Sequence, residues 1–443
     1  MTWSRRSRPD SCHRHFKPID GQERRKPQKA AMGEGSGEQT FDIIVVGAGI
    51  MGSCAAYEAA KLGKSVLLLE QFDLLHHLGS SHGESRTIRA TYRRPYYPPL
   101  VLESVRLWEE AQEAAGYRVL TKTPHLDMGP AGNPSLLAAV RNCSLVSIPA
   151  KVIDSNTDLA GLFSGTFQLP DGEIAVITDL GGVFKPTKAV AMFHALALRH
   201  GAVIKDRARV SEIKPDEIAG IRISTADGRI FRGSKCVVAV GAWISKMIES
   251  LSGEKLPVQP LHALVLYWKI KEGFEEAMLP AAGFPTFVSY TEPHIYGTPS
   301  MEFPGLIKVT LFAGQPCDPD RRDWTAGGGI SAAAAEVAEW IERVMPGRVE
   351  TAGGPVIMQP CMYSMTPDED FIIDFLGGEF GRNVVVAGGF SAHGFKMAPA
   401  VGRMVAEMVV GGEAATVERI GVEMRPFRLG RFFEEVQAGE VKE

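Results

Sequence analysis

The sequence contains little cysteine, and its cysteines do not form a pattern typical of a metal site. The 443 residues include six cysteines, which are Cys12, Cys54, Cys143, Cys236, Cys317 and Cys361. Their spacing is uneven and includes no C-x-x-C pair, so it indicates neither a zinc site nor the disulfide framework of a small secreted protein. We therefore expect the chain to work in a reducing compartment.

Long apolar runs and a basic surface are also missing. A membrane-spanning helix needs about 20 apolar residues, whereas the longest candidates, such as CVVAVGAWI from Cys236, have the length of a core strand. Residues 1–31 carry nine Lys and Arg against three Asp and Glu, so the rest of the chain has ten more acidic than basic residues. This balance excludes a nucleic-acid surface on the body of the protein, and we expect a soluble protein.

Residues 1–40 have the composition of a disordered extension. They are basic and polar, show no apolar periodicity, and offer too little apolar surface for a core. Their Arg and Ser content fits a transit peptide, and a dispensable extension upstream of Met32 fits as well. The chain ends in Val-Lys-Glu, which is not the S-K-L type of peroxisomal address, so peroxisome and cytoplasm both stay open.

A glycine-rich segment with the pattern of a βαβ unit begins at Phe41. The run FDIIVVGAGIMGSCAAYEAAKLGKSVLLLEQ contains an apolar strand, a glycine turn, a helix rich in Ala and Leu, and a second strand. Gly47 permits the tight turn, Gly49 lets the backbone approach a pyrophosphate, and Gly52 allows close helix packing. Glu70 lies at the end of the second strand, where a carboxylate accepts the hydroxyls of an adenosine ribose. This context predicts a dinucleotide site, which could take NAD or FAD.

The next segment favours a flavin over a nicotinamide cofactor. LLHHLGSSHGESRTIRATYRRPYY is a loop rich in Gly and Ser that continues into His82, Arg86, Arg89 and Tyr92. A nicotinamide domain would instead continue into further alternating strands and helices. We interpret the segment as a loop that wraps a cofactor and presents cations, although a solvated basic turn is the simpler alternative. Arg86 and Arg89 would share a face if the segment were helical.

Two later segments repeat the strand–turn–helix pattern. GRNVVVAGGFSAHGFKMAPAVGRMVAEMVVGG predicts a strand over Val384 to Val386 and a helix that starts near Met397, with His393 and Lys396 in the loop between them. CVVAVGAWISKM, at 236–247, predicts a third strand followed by a helix. The N- and C-terminal parts are therefore expected to build one domain together.

Residues 253–352 show alternating apolar segments and several prolines, which predicts a mostly antiparallel sheet covering the cofactor.

Together these segments resemble the flavin-dependent amine oxidases related to monomeric sarcosine oxidase and L-pipecolate oxidase. The similarity runs from about Phe41 to Val410 and rests on VGAGIMGS, GSSHGESRTIRATY, PGLIKVTLFAGQ, and CMYSMTPDEDFIID with GGFSAHGFK. SSHGESRTIRATY is most similar to plant members. The resemblance implies an α/β fold, with a Rossmann-like FAD-binding domain of the glutathione-reductase or D-amino-acid-oxidase type. We assign the FAD-binding domain to 41–122, 180–252 and 353–430, and a mostly antiparallel substrate domain to 123–179 and 253–352.

The resemblance implies a role for Cys361, which no metal-ligand spacing explains. In this family the cysteine of the C-M-Y segment forms a thioether to the 8α-methyl group of FAD, and Cys361 is at the matching place. An alkylthio substituent raises the reduction potential of the flavin, and the bond keeps the cofactor from leaving. We therefore expect covalent FAD at Cys361; a small buried apolar residue is the alternative interpretation.

The resemblance also implies cationic residues for the substrate and for oxygen. Arg89 and Lys396 match the pair that binds the carboxylate of an amino-acid substrate and orients its reacting carbon. Lys308, in the strand LIKVT, matches the lysine that promotes electron transfer to O2 by stabilising developing negative charge. Strand alternation alone also permits Lys308 to face solvent.

The remaining site residues are implied by the resemblance alone. Arg86 and His82 match residues close to the flavin ring, Tyr92 and Tyr363 match substrate contacts, and His393 is expected to donate to the pyrimidine side of the flavin. Their alternative role is that of satisfied core polar residues. Each of these residues is included in the predicted site.

Two positions depart from the family pattern. Many relatives carry a histidine four residues after the strand lysine, where this chain has Phe312. A phenyl ring donates no hydrogen bond to a carboxylate and takes up apolar area instead. Ala392 adds a methyl group where glycine is usual. A bulkier or cyclic amino acid should therefore be accepted more easily than sarcosine.

The predicted function is an FAD-dependent oxidase of secondary or tertiary amino acids, in which the amine becomes an imine and O2 becomes hydrogen peroxide. The alternatives are an L-pipecolate oxidase, an FAD-dependent amine dehydrogenase that passes electrons to a carrier, and a non-catalytic flavin-binding protein. An NAD-dependent dehydrogenase would leave Cys361 and the basic loop without a purpose. The expected partners are a small amino acid and O2, with no metal, and the resemblance fits a monomer.

Overall fold

Three β-sheets organise the part of the chain that the computed structural model describes, which is residues 40–321 and 328–433. The predicted disordered extension, apart from Thr40, lies outside these residues. The described strands are β1 (Thr40–Val46), β2 (Val66–Leu69), β3 (Arg86–Arg89), β4 (Leu120–Lys122), β5 (His125–Pro130), β6 (Lys151–Ile153), β7 (Glu173–Thr178), β8 (Gly181–Phe184), β9 (Val203–Lys205), β10 (Val210–Asp216), β11 (Gly220–Thr225), β12 (Ile230–Val238), β13 (Gln259–Lys269), β14 (Thr286–Ser289), β15 (Ile295–Thr298), β16 (Leu306–Leu311), β17 (Gln315–Pro316), β18 (Ile357–Met365), β19 (Ile372–Phe375) and β20 (Val384–Gly388). The described α-helices are α1 (Ile50–Lys61), α2 (Tyr97–Ala115), α3 (Pro134–Leu145), α4 (Asn156–Ala160), α5 (Pro186–Arg199), α6 (Ile244–Ser252), α7 (Gly328–Val344), α8 (Ala398–Gly411) and α9 (Ala415–Arg419).

The first sheet has a parallel centre in the order β9-β2-β1-β12-β20. Its strands read as continuous apolar runs because both faces are covered. Val45 of β1 packs into the core that contains α1, α5 and α8, whereas Ile44 packs on the opposite side. The antiparallel strands β10 and β11 extend the sheet beyond β12, and β19 pairs with β20. The predicted βαβ unit is thus β1, α1 and β2.

The second sheet is antiparallel except for the parallel pair β14 and β5. Its order is β17-β13-β16-β15-β14-β5-β7-β6, and β18 pairs with β13. Helix α7 covers one face, where Ile307 and Val309 of β16 belong to the same apolar core as Trp340. Because side chains alternate along a strand, Lys308 points away from this core.

The third sheet is small, and its strand β3 belongs to the segment predicted to wrap the cofactor. It has the order β3-β8-β4, and β3 contains both Arg86 and Arg89. The condition for a helical face shared by these arginines is not met, because the segment is a strand, in which residues three apart point to opposite sides.

The segments predicted late in the chain form the expected elements. The strand predicted at Val384 is β20, and the helix predicted near Met397 is α8, preceded by a short 3-10 turn at Phe395–Met397. Cys361 lies on β18, which pairs with the second sheet. The proposed division into two domains stays a prediction.

Within 40–321 and 328–433, no helix combines the length and apolar character that a bilayer crossing requires.

Candidate active site

The turn between β1 and α1 borders a cavity of about 500 Å³. Gly47 has φ +100, in the left-handed region, and a Cβ there would come 2.4 Å from the carbonyl oxygen of Ala239. A Cβ on Gly52 would come 1.9 Å from the carbonyl oxygen of Gly47. The N-cap of α1 is Gly49, which has no side chain to cap the helix, and Ser81 Oγ accepts from Ile50 N at 3.0 Å. The turn therefore leaves the positive end of the helix facing the cavity, as phosphate binding requires.

Glu70 lines the same cavity and is buried directly after β2. Its carboxylate accepts hydrogen bonds from Ala48 N at 2.9 Å and from Phe72 N at 3.1 Å, and His76 Nε2 lies 3.5 Å away. Burial alone would raise the pKa of Glu70, but His76 and the Ala48 N–H outweigh burial and lower it. Glu70 therefore fixes the glycine turn, and it carries a negative charge at the place predicted for the ribose.

A second cavity of about 700 Å³ meets the first at Arg86 and Cys361, which line both. The Arg86 guanidinium donates to the carbonyl oxygens of Ser80, His82 and Ser85 at 2.7 to 2.9 Å. Its Nη2 lies 3.5 Å from Cys361 Sγ. The strand β3 and the strand β18 thus bring a fixed cation next to the predicted flavin-linking sulfur.

Lys308 lines the second cavity and is buried, with 3% of its surface exposed. Its Nζ lies 3.5 Å from Ser85 Oγ and 5.1 Å from the centre of the Tyr296 ring. Burial, and then the positive charge of Arg86, lower the pKa of Lys308 to about 7. The interpretation of a solvent-facing lysine is therefore wrong.

Arg89, Tyr92 and Lys396 lie together along the second cavity. The Arg89 guanidinium lies over the Tyr92 ring at 4.8 Å, and Lys396 Nζ donates to the Tyr92 hydroxyl at 3.1 Å and to the carbonyl oxygen of His393 at 3.1 Å. Burial, and then Arg89, lower the pKa of Lys396 well below its ordinary value. Two basic side chains held by one tyrosine suit the binding of a carboxylate.

The two predicted histidines lie in different cavities. His82 lines the first cavity, both of its ring nitrogens lack a hydrogen-bond partner among the described residues, and burial followed by Arg86 lowers its pKa to about 3. His393 lines the second cavity, where its ring contacts the Tyr92 hydroxyl at 3.3 Å and the Glu369 carbonyl oxygen at 3.0 Å. Burial, and then Lys396, lower the pKa of His393 to about 3. Both rings are therefore neutral at physiological pH.

Aromatic side chains form one wall of the second cavity. Phe312 stacks on Tyr363 at 5.8 Å between ring centres and lies 5.3 Å from the His294 ring. The Tyr363 and Tyr296 hydroxyls are 3.0 Å apart. Tyr296 and His294 are not among the predicted site residues; the available signal was their position on the segment HIYGT just before the strand of Lys308.

Comparison with known proteins identifies the family. A model of the DAO family, described as FAD dependent oxidoreductase, matches residues 42–408. The chain belongs to this family. It is 53% identical over 412 residues to a probable sarcosine oxidase of Arabidopsis thaliana, covering 93% of this chain and 97% of the relative. It is 32% identical over 403 residues to a peroxisomal sarcosine oxidase of Homo sapiens, covering 88% and 96%. These matches confirm the predicted family and its plant-like character.

The fold of this DAO-family chain matches a solved structure as well. NikD, an unusual amino acid oxidase essential for nikkomycin biosynthesis, superposes with a TM-score of 0.73 at 21% identity, covering 88% of this chain and 97% of that protein. The predicted α/β fold, with its Rossmann-like and mostly antiparallel parts, is confirmed. The chain is an FAD-dependent oxidoreductase.

The residues of the first cavity fit FAD. The glycine turn from Gly47 to Gly52 provides room for a pyrophosphate beside the helix N-terminus, and the cavity continues from Glu70 to Cys361. His82, with two unpartnered ring nitrogens, borders the same space. No group of three or more metal-ligating side chains occurs within 40–321 and 328–433.

Proposed function

We propose that this chain is an oxidase of secondary or tertiary amino acids, which forms an imine from the amine and hydrogen peroxide from O2. One observation carries the proposal: a single cavity has two basic side chains, Arg89 and Lys396, beside one tyrosine, and meets the cofactor cavity at Arg86 and Cys361. The relatives named sarcosine oxidase support the same chemistry.

Arg89 and Lys396 would bind the substrate carboxylate. Arg89 offers a planar fork of donors, and Lys396 supplies a second donor whose protonated form an adjacent anion favours. The Tyr92 hydroxyl, at 3.1 Å from Lys396 Nζ, keeps the lysine in place. Holding the carboxylate fixes the position of the carbon that carries the amine, which is catalysis by orientation.

Lys308 would promote the reaction with oxygen. Bound FAD supplies the two-electron acceptor for the substrate C–H bond and the two-electron donor for O2. With a pKa of about 7, Lys308 carries a proton in a large share of molecules at neutral pH. Its charge lies in a buried site, where it stabilises negative charge developing on oxygen far more than it would in water.

We propose that Cys361 links covalently to FAD. The sulfur lines both cavities, and the Arg86 guanidinium lies 3.5 Å from Sγ, so the cysteine stands where the two cavities meet. The test is acid precipitation of the native protein beside Cys361→Ala. The yellow colour should remain in the native pellet and move to the supernatant in the variant; colour in the native supernatant would rule the linkage out. Cys236→Ala, which changes a buried thiol on β12 away from both cavities, is the matched control.

The aromatic wall favours L-pipecolate and other bulky secondary amino acids over sarcosine. Phe312, stacked between Tyr363 and His294, offers apolar area to a cyclic side chain and no hydrogen bond to a small polar one. L-pipecolate is therefore a second candidate substrate beside sarcosine.

The function is tested with sarcosine, L-pipecolate, L-proline and N-methyl amino acids. Each is mixed anaerobically with the enzyme while the visible flavin band is followed, and peroxide is then measured in air. Bleaching with peroxide supports an oxidase, and bleaching without peroxide indicates a dehydrogenase. Absence of bleaching with every compound would reject the proposal.

A further inference from the structure

The segment that joins β3 to α2 carries the tyrosine that lies between Arg89 and Lys396. This connector, residues 90–96, follows Arg89 directly and contains Tyr92. It lies outside the strands and helices of the described chain, so no ladder of backbone hydrogen bonds fixes its conformation. A buried carbonyl group without a hydrogen-bond partner is costly. The conformation of the connector therefore depends on side-chain donors.

Asn142 of α3 binds two successive carbonyl groups of the connector. Its Nδ2 donates to the carbonyl oxygen of Tyr92 at 2.9 Å and to that of Arg93 at 3.0 Å. Both partners are acceptors, so the nitrogen of the amide, and not its oxygen, must face them. Asn142 is buried, with 8% of its surface exposed. A single buried amide on a helix thus fixes the backbone on both sides of the Tyr92–Arg93 peptide bond.

Arg89 and Tyr92 both depend on the position of this connector. Arg89 Nη1 donates to the carbonyl oxygen of Thr91 and, at 3.2 Å, to the Thr91 hydroxyl. The guanidinium lies over the Tyr92 ring at 4.8 Å, and the Tyr92 hydroxyl accepts from Lys396 Nζ at 3.1 Å. A shift of the connector would therefore move Arg89 and Tyr92 away from their present positions beside Lys396.

On the basis of the proposed function, we propose that Asn142 is a positioning residue of the carboxylate site, where it holds the connector so that Arg89 and Tyr92 are already arranged for a carboxylate. Asn142 does not line the second cavity, so it acts through the connector and touches no substrate. A site that is ordered before its ligand arrives loses less conformational entropy on binding. Without the amide, the ligand would have to order the connector as it binds.

The test measures the binding of acetate to the holoenzyme by the perturbation of the visible flavin band. Asn142→Leu keeps a branched side chain but has no N–H to donate. We expect the Kd of acetate to rise by about tenfold or more, the effect of leaving buried polar groups without a partner. The substrate concentration that gives half the maximal rate of anaerobic bleaching should rise as well. Reoxidation by O2 should not change, because Lys308 is held on β16 beside Ser85 and not by the connector.

Leu136→Ala is the matched control for a loss of stability in α3. Leu136 is buried on the same helix in an apolar cluster with Ile174 and Val176, and it lines neither cavity. Its truncation should lower the melting temperature through the space that it leaves, while the Kd of acetate stays at the native value. An equal loss of acetate affinity in Leu136→Ala and Asn142→Leu would overturn the inference, because the stability of α3 would then be the cause.

Native affinity for acetate and substrate in Asn142→Leu would also overturn the inference and would leave the proposed function intact. If the flavin of the native enzyme responds to neither acetate nor substrate, the proposed function fails and the inference fails with it. If Asn142→Leu does not fold, Asn142→Ser replaces it, since a hydroxyl has one hydrogen to donate where the amide has two. Asn142→Ser should also weaken the binding of acetate, and native affinity in this variant would overturn the inference.

Discussion

Lys308 is a lysine whose surroundings oppose its charge. It lies on a strand that contributes Ile307 and Val309 to an apolar core, and its own side chain reaches Ser85 at 3.5 Å. Burial and Arg86 bring its pKa to about 7. A residue kept in this position at such a cost to stability is expected to act in the chemistry of the site.

Replacing Lys308 by Met should slow the reoxidation of the flavin by O2 and leave the reduction of the flavin by the substrate intact. We expect peroxide formation by Lys308→Met to fall by roughly a hundredfold or more, as for other groups that stabilise developing negative charge. Anaerobic bleaching by substrate should remain. Stopped-flow mixing of the reduced enzyme with O2 measures the effect. Lys188→Met, on an exposed residue paired with Glu302 at 2.6 Å, is the control; equal reoxidation rates in all three proteins would contradict the role.

Helices α1 and α8 lie close enough for glycine to be required at their contact. A Cβ on Gly402 would come 2.5 Å from Cys54 Cβ and 2.7 Å from the Cys54 carbonyl carbon. α1 in turn begins at the cofactor turn. The contact between these helices therefore supports the position of the nucleotide-binding turn.

Gly402→Ala should destabilise the protein, whereas Gly411→Ala on the same helix should not. The added methyl group at 402 must displace backbone, and we expect a loss of about 2 kcal/mol in the free energy of unfolding. At Gly411 no described atom outside the helix's own backbone lies within 4 Å of the place that a methyl group would occupy, and alanine should change stability by less than about 1 kcal/mol. Urea denaturation followed by far-ultraviolet circular dichroism measures both. Equal effects at the two positions would show that the close contact is not the cause.

At the scale of the whole molecule, ion pairs join helices that are far apart in the chain. Glu103 on α2 accepts from Arg106 at 2.6 Å and from Arg419 on α9 at 2.8 Å. Arg403 on α8 pairs with Glu58 on α1 at 2.9 Å. Burial alone would raise the pKa of Glu103, but the two arginines that bind it outweigh burial and lower it to about 2.

The ion pairs of Glu103 with Arg106 and Arg419 predict a loss of stability in acid. The folded pKa of about 2 lies below the ordinary value of 4.5, so the stabilisation is complete above pH 4.5 and is lost as pH falls through the folded pKa. Glu103→Gln should therefore lower the melting temperature at neutral pH, and its difference from the native protein should shrink below pH 4.5. Glu113→Gln, a change on the same helix, should show no such convergence. A difference independent of pH would contradict this account.

The sequence predicts individual strands and helices better than it predicts which residues from distant segments come into contact. The turn from Gly47 to Gly52 could be predicted from the sequence, because its conformation depends on residues that are adjacent in the chain. The strand form of the Arg86 segment was not evident, because pairing with β8, rather than local propensity, decides it.

By itself, the sequence determined the glycine turn, the strand and helix pattern around it, and the family, because these depend on residues that are close in the chain or on motifs in a fixed order. Only the tertiary structure decided that Lys308 is buried, that Arg86 lies beside Cys361, and that Lys396 reaches the Tyr92 hydroxyl. These contacts join separate segments of the chain, and their positions are set by packing and strand register rather than by any local signal.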